Sequence, residues 1–97
     1  MQIIKRDGRK QKYNVSKIEK AVKKAFVATQ TPVEDEMVKE IAGAVEQTIK
    51  GEENVTVEHI QDLVERELMQ KGLYDVAKSY ILYRDQRAQV RKTLNNR

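Results

Sequence analysis

The chain is 97 residues long, enough for one small domain with a single core. It contains no cysteine and only one histidine, which excludes disulfides, thiol redox chemistry and zinc sites built from cysteine. Hydrophobic residues make up 39% and charged residues 35%, a balance typical of a globular chain. The sequence shows neither an apolar run of membrane-spanning length nor a secretory leader, so we expect a cytoplasmic location without a membrane partner.

The net charge of +4 is modest, and its distribution is more informative than its size. Basic residues dominate the range 5–24, whereas acidic residues dominate the range 34–67. Mixed charges of this kind describe solvated surfaces better than a nucleic-acid interface, so nucleic acid is an unlikely partner. The sequence therefore predicts a polarised molecule whose positive end lies near its start.

The start of the chain predicts a β-hairpin. Two short strand-like runs, with Ile3 and Ile4 in the first, flank the turn-forming pair Asp7 and Gly8. Five cations crowd this hairpin, at positions 5, 6, 9, 10 and 12. Their mutual repulsion would be relieved by an anion such as a polyphosphate, but lysines also protect edge strands from aggregation. Local chemistry leaves both interpretations open.

Two amphipathic helices are predicted after the hairpin. Ser16 and Glu19 have the spacing of a capping box, and the following apolar period extends to about Ala28. A second start signal begins at Thr31, with Pro32 expected at the first helical position. Gly51 offers a left-handed stop for this second helix.

Two further helices complete the predicted architecture. Thr56 starts the third, with Val55 and Ile60 placed to pack across its cap, and Gly72 ends it. Asp75 is expected to cap the fourth helix. Residues 1–87 would form the domain, and residues 88–97 a helical extension or truncated linker. The predicted fold class is α+β, mostly α, with a hairpin followed by four helices.

Catalysis is not expected of this chain. His59 is the only histidine, and the carboxylates of Glu58 and Asp62 are spaced as on many solvated helix faces. Neither of the common glycine-rich phosphate loops is present. A phosphate site can still be built from the hairpin cations together with the helix starts at Ser16 and Thr56.

Aromatic residues near the end of the chain admit two interpretations. Tyr80 and Tyr83, with Arg84 and Arg87, have a spacing that suits stacking on bases. Tyrosines at helical spacing are more often partly buried with the hydroxyl in water, which is the favoured interpretation.

Four segments taken together resemble a known family. They are the ranges 3–9, 17–18, 55–65 and 76–84, which occur in the expected order and spacing. The chain resembles the ATP-cone, a regulatory nucleotide-binding domain of ribonucleotide reductases. The resemblance implies a β-hairpin lid over a four-helix bundle that binds ATP as activator or dATP as inhibitor, with Mg²⁺. It also implies action through a catalytic domain or a second cone, in deoxyribonucleotide biosynthesis.

The resemblance assigns the triphosphate to the hairpin. Lys5 and Arg6 resemble the pair that grips the phosphates, with Asp7 and Gly8 forming the turn. Further residues expected near the phosphate or sugar are Lys17, Thr56, His59 and Lys78.

The resemblance assigns the base to residues after the turn. Gln11 and Asn14 occupy positions that contact the adenine edge in the family, and the apolar walls would come from Ile3, Ile18 and Ile60. Gln11 stands where many members carry Glu, and an amide offers a donor as well as an acceptor. Adenine preference is therefore expected to be less strict here.

Three functions are compatible with such a domain. The first is allosteric control of a ribonucleotide reductase, with the anaerobic class favoured. The second is the nucleotide-binding part of a repressor of reductase genes, although the cysteines of the zinc ribbon expected there are absent. The third is a free-standing nucleotide sensor.

Overall fold

The computed structural model describes residues 2–5 and 8–95, and side chains as far as residue 86. Arg6, Asp7 and the Arg87 side chain, which carried predictions, lie outside the described residues. Seven elements follow one another: β1 (Gln2–Ile4), β2 (Lys10–Lys12), α1 (Val15–Ala28), α2 (Asp35–Ile49), β3 (Val55–Thr56), α3 (Val57–Gln70) and α4 (Tyr74–Asn95). The predicted fold class is confirmed.

The hairpin is confirmed and extended by a third strand. β1 pairs antiparallel with β2, and its other edge pairs parallel with β3, so the strand order is β2-β1-β3. The Lys5 N–H donates to the Arg9 carbonyl at 2.8 Å, and the Gly8 N–H donates to the Lys5 carbonyl at 2.9 Å. Gly8 has a φ of +85°, a conformation that glycine adopts without steric cost. The central strand is therefore β1, and β2 and β3 form the edges of the sheet.

The sheet has an inner face against the helices and an outer face away from them. Ile3 lies opposite Gln11 and Val55, and its side chain is buried. Side chains alternate along a strand, so Ile4 and Lys10 belong to the outer face. The alternation divides the hairpin cations, because Lys10 and its exposed neighbour Lys12 lie on the face that does not contact the helices.

One aliphatic core joins all four helices to the sheet. Its largest fully buried side chain is Phe26, and Ile3 and Val55 extend it beneath the strands. Burying each of the larger members contributes about 1.5–3 kcal/mol. The helical members are Ile18, Val22, Ala25, Phe26, Val38, Ile41, Ala42, Val45, Ile49, Ile60, Leu63, Val64, Leu68, Val76, Ala77 and Tyr80.

The cap of α1 differs from the predicted capping box. Asn14 is the N-cap, and its side-chain oxygen accepts from the Ser16 backbone N–H at 3.0 Å and from the Ser16 hydroxyl at 2.7 Å. Asparagine is at least as good an N-cap as serine, so the helix starts two residues earlier than Ser16 would require. The predicted end at Ala28 is confirmed.

The start of α2 also differs from the prediction. Glu34 is the N-cap, without a side-chain hydrogen bond, and the helix begins at Asp35. Thr31 is engaged elsewhere, because its N–H donates to the Phe26 carbonyl and its hydroxyl lies 2.7 Å from that of Thr29. Thr31 therefore closes the end of α1, and Pro32 lies in the connection.

The other predicted helix boundaries are largely confirmed. Thr56 caps α3, with its hydroxyl accepting from the His59 N–H at 3.1 Å. Gly51 and Gly72 follow α2 and α3 with positive φ values of 86° and 76°. Asp75 was predicted as the α4 cap but lies inside the first turn. Its negative charge there interacts favourably with the positive end of the helix dipole.

Candidate functional site

A cavity of about 160 Å³ lies beneath the inner face of the sheet. It lies between the sheet, α1, α3 and the second turn of α4. Its lining residues are Ile3, Gln11, Tyr13, Asn14, Lys17, Ile18, Ala21, Val57, Ile60, Gln61 and Tyr80. Residues of β1, β2, α1, α3 and α4 thus meet only in the folded chain, and the hairpin covers one side of the space.

The N-termini of two helices line this cavity. Both α1 and α3 start next to the sheet, since Asn14 follows β2 closely and Val57 follows β3 directly. Asn14, Lys17 and Val57 line the cavity at these helix starts, a part of it that we call its mouth. Gln61 lies one turn beyond Val57, about 6 Å further along α3 at 1.5 Å per residue, and Ala21 has the same relation to Lys17.

The mouth is electrically positive. Lys17 is exposed and lines the mouth, and Lys5 is half-buried one residue beyond β1. The starts of α1 and α3 add backbone N–H groups and the positive ends of two helix dipoles. None of the described lining residues is acidic, so no carboxylate of the lining itself repels an anion here.

The walls are apolar and fixed by the core. Ile3, Ile18 and Ile60 line the cavity and are each less than a tenth exposed. Tyr80 is also buried, and burial raises the pKa of its hydroxyl well above the ordinary range. Tyr80 is therefore a neutral wall at physiological pH. Its burial is more complete than the partly wet position expected for it.

Polar groups interrupt these walls at a few positions. Gln11 projects from the inner face of β2, and Asn14 lies at the mouth with its oxygen occupied by the cap of α1. The Gln61 Oε1 is buried and accepts no hydrogen bond within the described part of the chain. The Tyr13 hydroxyl is likewise unsatisfied there, and burial together with the charges of Glu46 and Glu19 raises its pKa.

Two side-chain contacts hold α4 against this cavity. The Arg84 Nη1 donates to Asp62 Oδ1 at 2.8 Å and to Glu65 Oε1, tying α4 to α3. Burial opposes the charge on Arg84, but the bonds to both carboxylates outweigh it and raise the pKa of the guanidinium. The Lys24 ammonium lies 5.6 Å from the centre of the Tyr83 ring, which ties α4 to α1.

The structure brings six of the proposed contact and wall residues together and separates others. The cavity collects Ile3, Gln11, Asn14, Lys17, Ile18 and Ile60. Thr56 pairs with Ile4, its hydroxyl is used by the α3 cap, and it does not line the cavity. The His59 Nε2 lies 3.5 Å from Glu52 Oε2, and Lys78 is exposed on α4. Lys5 and Gly8 belong to the hairpin end and do not line the cavity.

Five lining residues were missed from the sequence as site residues. Val57 and Gln61 flank Ile60 on the same helix face, and Ala21 lies one turn after Lys17. Their spacing is a signal that would have found them once Ile60 and Lys17 were assigned. Tyr13 carried no such signal. Tyr80 was weighed as a base-stacking residue, but its place in the lining depends on how α4 packs.

A second groove, of about 310 Å³, lies at the outer face of the sheet. It is lined by Gln2, Ile4, Lys10, Glu52, Glu53 and Asn54. One cation and two acids thus share a surface that is open to solvent. No group of three or more potential metal ligands occurs among the described residues, and none of their helices is long and apolar enough to cross a membrane.

Comparison with known proteins agrees with the geometry. A family model described as "ATP cone domain" matches residues 1–89. The chain is 43% identical over 100 aligned positions to a ribonucleoside-diphosphate reductase subunit alpha of Chlamydia pneumoniae, covering 92% of this chain and 9% of that relative. It is 39% identical to the corresponding subunit of Treponema pallidum, covering 94% of this chain and 12% of the relative. A vitamin B12-dependent ribonucleoside-diphosphate reductase of Thermoplasma acidophilum is 36% identical, with the same shares. The chain thus spans about a tenth of the length of these relatives.

Proposed function

The chain belongs to the ATP cone domain family, and on that premise we propose that it is a regulatory domain that binds ATP or dATP. The observation that carries the proposal is the cavity under the inner face of the sheet. It joins a cationic mouth to apolar walls within one space, and six of the residues expected to contact or enclose the nucleotide line it. The chain supplies regulation and no catalytic group of its own.

A nucleoside triphosphate has the chemistry that this cavity complements. Its triphosphate carries about four negative charges, which suit Lys5, Lys17 and the two helix N-termini at the mouth. Its base is a flat, largely apolar ring that suits the space between Ile18 and Ile60. A divalent cation such as Mg²⁺ would accompany the phosphates, because their negatively charged oxygens are ligands that Mg²⁺ prefers.

The output of binding is proposed to be control of a ribonucleotide reductase. The relatives are reductases roughly ten times longer than this chain, so a partner for the domain is a catalytic domain or a second cone. A change of quaternary contacts worth 1–3 kcal/mol would be sufficient for such control. The relatives are named as diphosphate and B12-dependent enzymes, so they lend no support to the anaerobic class, which stays a prediction. We expect the protein to act in the cytoplasm.

Calorimetric titration tests nucleotide binding directly. The chain is titrated with ATP, dATP, GTP and inorganic tripolyphosphate in the same Mg²⁺-containing buffer. We expect ATP and dATP to bind more tightly than tripolyphosphate, because only a nucleotide fills the apolar part of the cavity. The proposal fails if neither adenine nucleotide binds below millimolar concentration.

A pair of double variants separates direct contacts to the phosphates from attraction by the net positive charge of the hairpin. Lys5→Ala with Arg6→Ala removes the two cations assigned to the triphosphate, and we expect ATP binding to be lost with helix content unchanged. Lys10→Ala with Lys12→Ala removes the same charge from exposed positions and should weaken ATP no more than about threefold, through screened attraction. Equal losses in the two variants would mean that the hairpin attracts nucleotide only by its net charge.

A further inference from the structure

Tyr80 is the last core residue of α4 among those whose side chains are described. The buried residues of this helix are Val76, Ala77 and Tyr80. Among residues 81–86, where the described side chains end, none is buried. The helix nevertheless continues to Asn95. The turn that follows Tyr80 therefore depends on contacts other than the packing of the core.

The same tyrosine is a wall of the cavity beneath the sheet. Tyr80 shares the lining with Ile18 of α1 and Ile60 of α3. A ligand that fills the cavity packs against this lining, whichever part of the ligand lies nearest to Tyr80. Binding therefore adds contacts at the residue where the described core packing of α4 ends.

One turn after Tyr80, a polar contact fastens α4 to α3. Arg84 lies four residues beyond Tyr80, on the same side of the helix. The guanidinium of Arg84 donates to Asp62 Oδ1 at 2.8 Å and to Glu65 Oε1, and its side chain is only 15% exposed. Asp62 directly follows Gln61, which also lines the cavity. Both helices are thus joined immediately beside the space that a ligand would fill.

The part of α4 beyond Tyr80 also presents a surface that a partner could contact. Leu82 is a large apolar residue with 54% of its surface exposed, and Asp85 and Gln86 are exposed on the following turn. A domain that regulates another must change a surface that the other domain contacts. This end of α4 combines such a surface with a direct connection to the cavity.

We propose that a nucleotide in the cavity stabilises the turn of α4 that follows Tyr80, and that Arg84 is the positioning residue that transmits the effect. The inference rests on the proposed function, because it names the part of the domain that responds to the bound nucleotide. Local opening of this turn separates Arg84 from α3 and loosens Tyr80 beside it. A ligand that binds the closed arrangement more tightly makes that opening rarer, and Leu82 is then held in one position.

Amide hydrogen exchange measures this local opening. The N–H groups to follow are those of residues 84–88, which in an α-helix donate to the carbonyls of residues 80–84. Exchange is recorded by NMR with and without saturating ATP in a buffer that contains Mg²⁺. We expect ATP to slow exchange at these positions about tenfold, a typical size for coupling between two sites. The last turn of α2, residues 46–49, should change less than about twofold, since α2 contributes nothing to the described lining.

Three variants separate the role of Arg84 from a general loss of stability, each measured at saturating ATP. Arg84→Ala removes both bonds to α3, so the slowing by ATP should fall to less than about twofold. Asp62→Asn weakens the same contact only at its more exposed carboxylate, so it preserves the fold and should reduce the slowing part of the way. Ile41→Val destabilises the core from α2 without altering the lining, and the full slowing should persist.

The inference is overturned if ATP binds the unchanged chain without slowing exchange at residues 84–88, or if Arg84→Ala keeps the full slowing. Loss of the slowing in Ile41→Val would show that the effect follows overall stability, and would overturn the inference as well. Each of these results leaves nucleotide binding intact. Failure of the unchanged chain to bind ATP at all would instead overturn the proposed function, and this inference with it.

Discussion

The two faces of the small sheet carry cavities of opposite character. The inner cavity combines Lys17 with apolar walls and has no acid among its described lining residues. The outer groove is larger, yet it sets Lys10 against Glu52 and Glu53 in open solvent. The same hairpin therefore supplies cations to both faces, but only one face adds walls that the core holds in place.

The difference shows that the density of basic residues is a poor guide to an anion site. Five cations crowd the hairpin in sequence, but the pleat sends Lys10 and Lys12 outward, whereas Lys5 is half-buried just after β1. Exposed charges are screened by salt, whereas charges at the edge of an apolar cavity act through a lower effective dielectric constant. Location relative to the core decides which of the cations can hold a ligand.

The largest predicted effect comes from breaking the contact that holds α4 against α3. Among the two cavities, only the inner one is lined by α4. Arg84→Ala should lower the free energy of unfolding by about 2–3 kcal/mol, because it leaves the Glu65 carboxylate without its partner in a largely buried position. Lys71→Ala breaks the more exposed pair with Glu40 and should cost less than about 1 kcal/mol. Chemical denaturation measures both variants. Equal losses would show that Arg84 is only a surface contact.

A charge comparison between the two faces gives the next largest effect. Lys17→Ala should weaken ATP binding about tenfold, which corresponds to about 1.4 kcal/mol, because Lys17 lies at the mouth of the inner cavity. Lys10→Ala on the outer face should weaken it less than about twofold. Titration calorimetry at one fixed salt concentration measures both affinities. A larger loss of ATP affinity in Lys10→Ala than in Lys17→Ala would mean that the nucleotide binds at the outer face and not in the inner cavity.

The smallest predicted effect concerns the buried hydroxyl of Tyr80. Its folded-state pKa lies above the ordinary value of 10.0, so the folded chain keeps a proton that the unfolded chain loses. This group therefore leaves stability unchanged below pH 10 and lowers it as the pH rises further, by at most about 1.4 kcal/mol per unit. Tyr80→Phe should flatten that decline, as measured by denaturation at pH 9, 10 and 11. An unchanged slope would mean that Tyr80 ionises equally in both states.

Most of the fold could be predicted from local patterns. The hairpin, the four helices and the glycine stops at Gly51 and Gly72 follow from turn chemistry and a 3.6-residue period. β3 could not be predicted, because a two-residue strand has no period of its own and its pairing with β1 is long-range. The helix starts at Ser16 and Thr31 were misassigned. Asn14 caps α1 by accepting a hydrogen bond from the Ser16 N–H, and Thr31 donates its N–H to the end of α1 instead of capping α2.

Site residues could be predicted where the pattern of one helix identifies them. They could not be predicted where they reach the cavity only through the packing of several elements. Lys17 and Ile18 follow from the start of α1, and Ile60 from the face of α3. Tyr80 lines the cavity because α4 packs on α3, a packing to which Arg84 contributes. Gln61 stands out only when its oxygen is seen to be buried without a partner, which no sequence pattern reports.

The most direct test of the account is a measurement of which isoleucines the base contacts. Isoleucine methyl groups are labelled, and nuclear Overhauser effects are recorded from the H2 and H8 protons of bound ATP. If the base binds in the inner cavity, we expect contacts to the methyl groups of Ile18 and Ile60, with none to Ile4 on the outer face of the sheet. Contacts to Ile4, in the absence of contacts to Ile18 and Ile60, would contradict it.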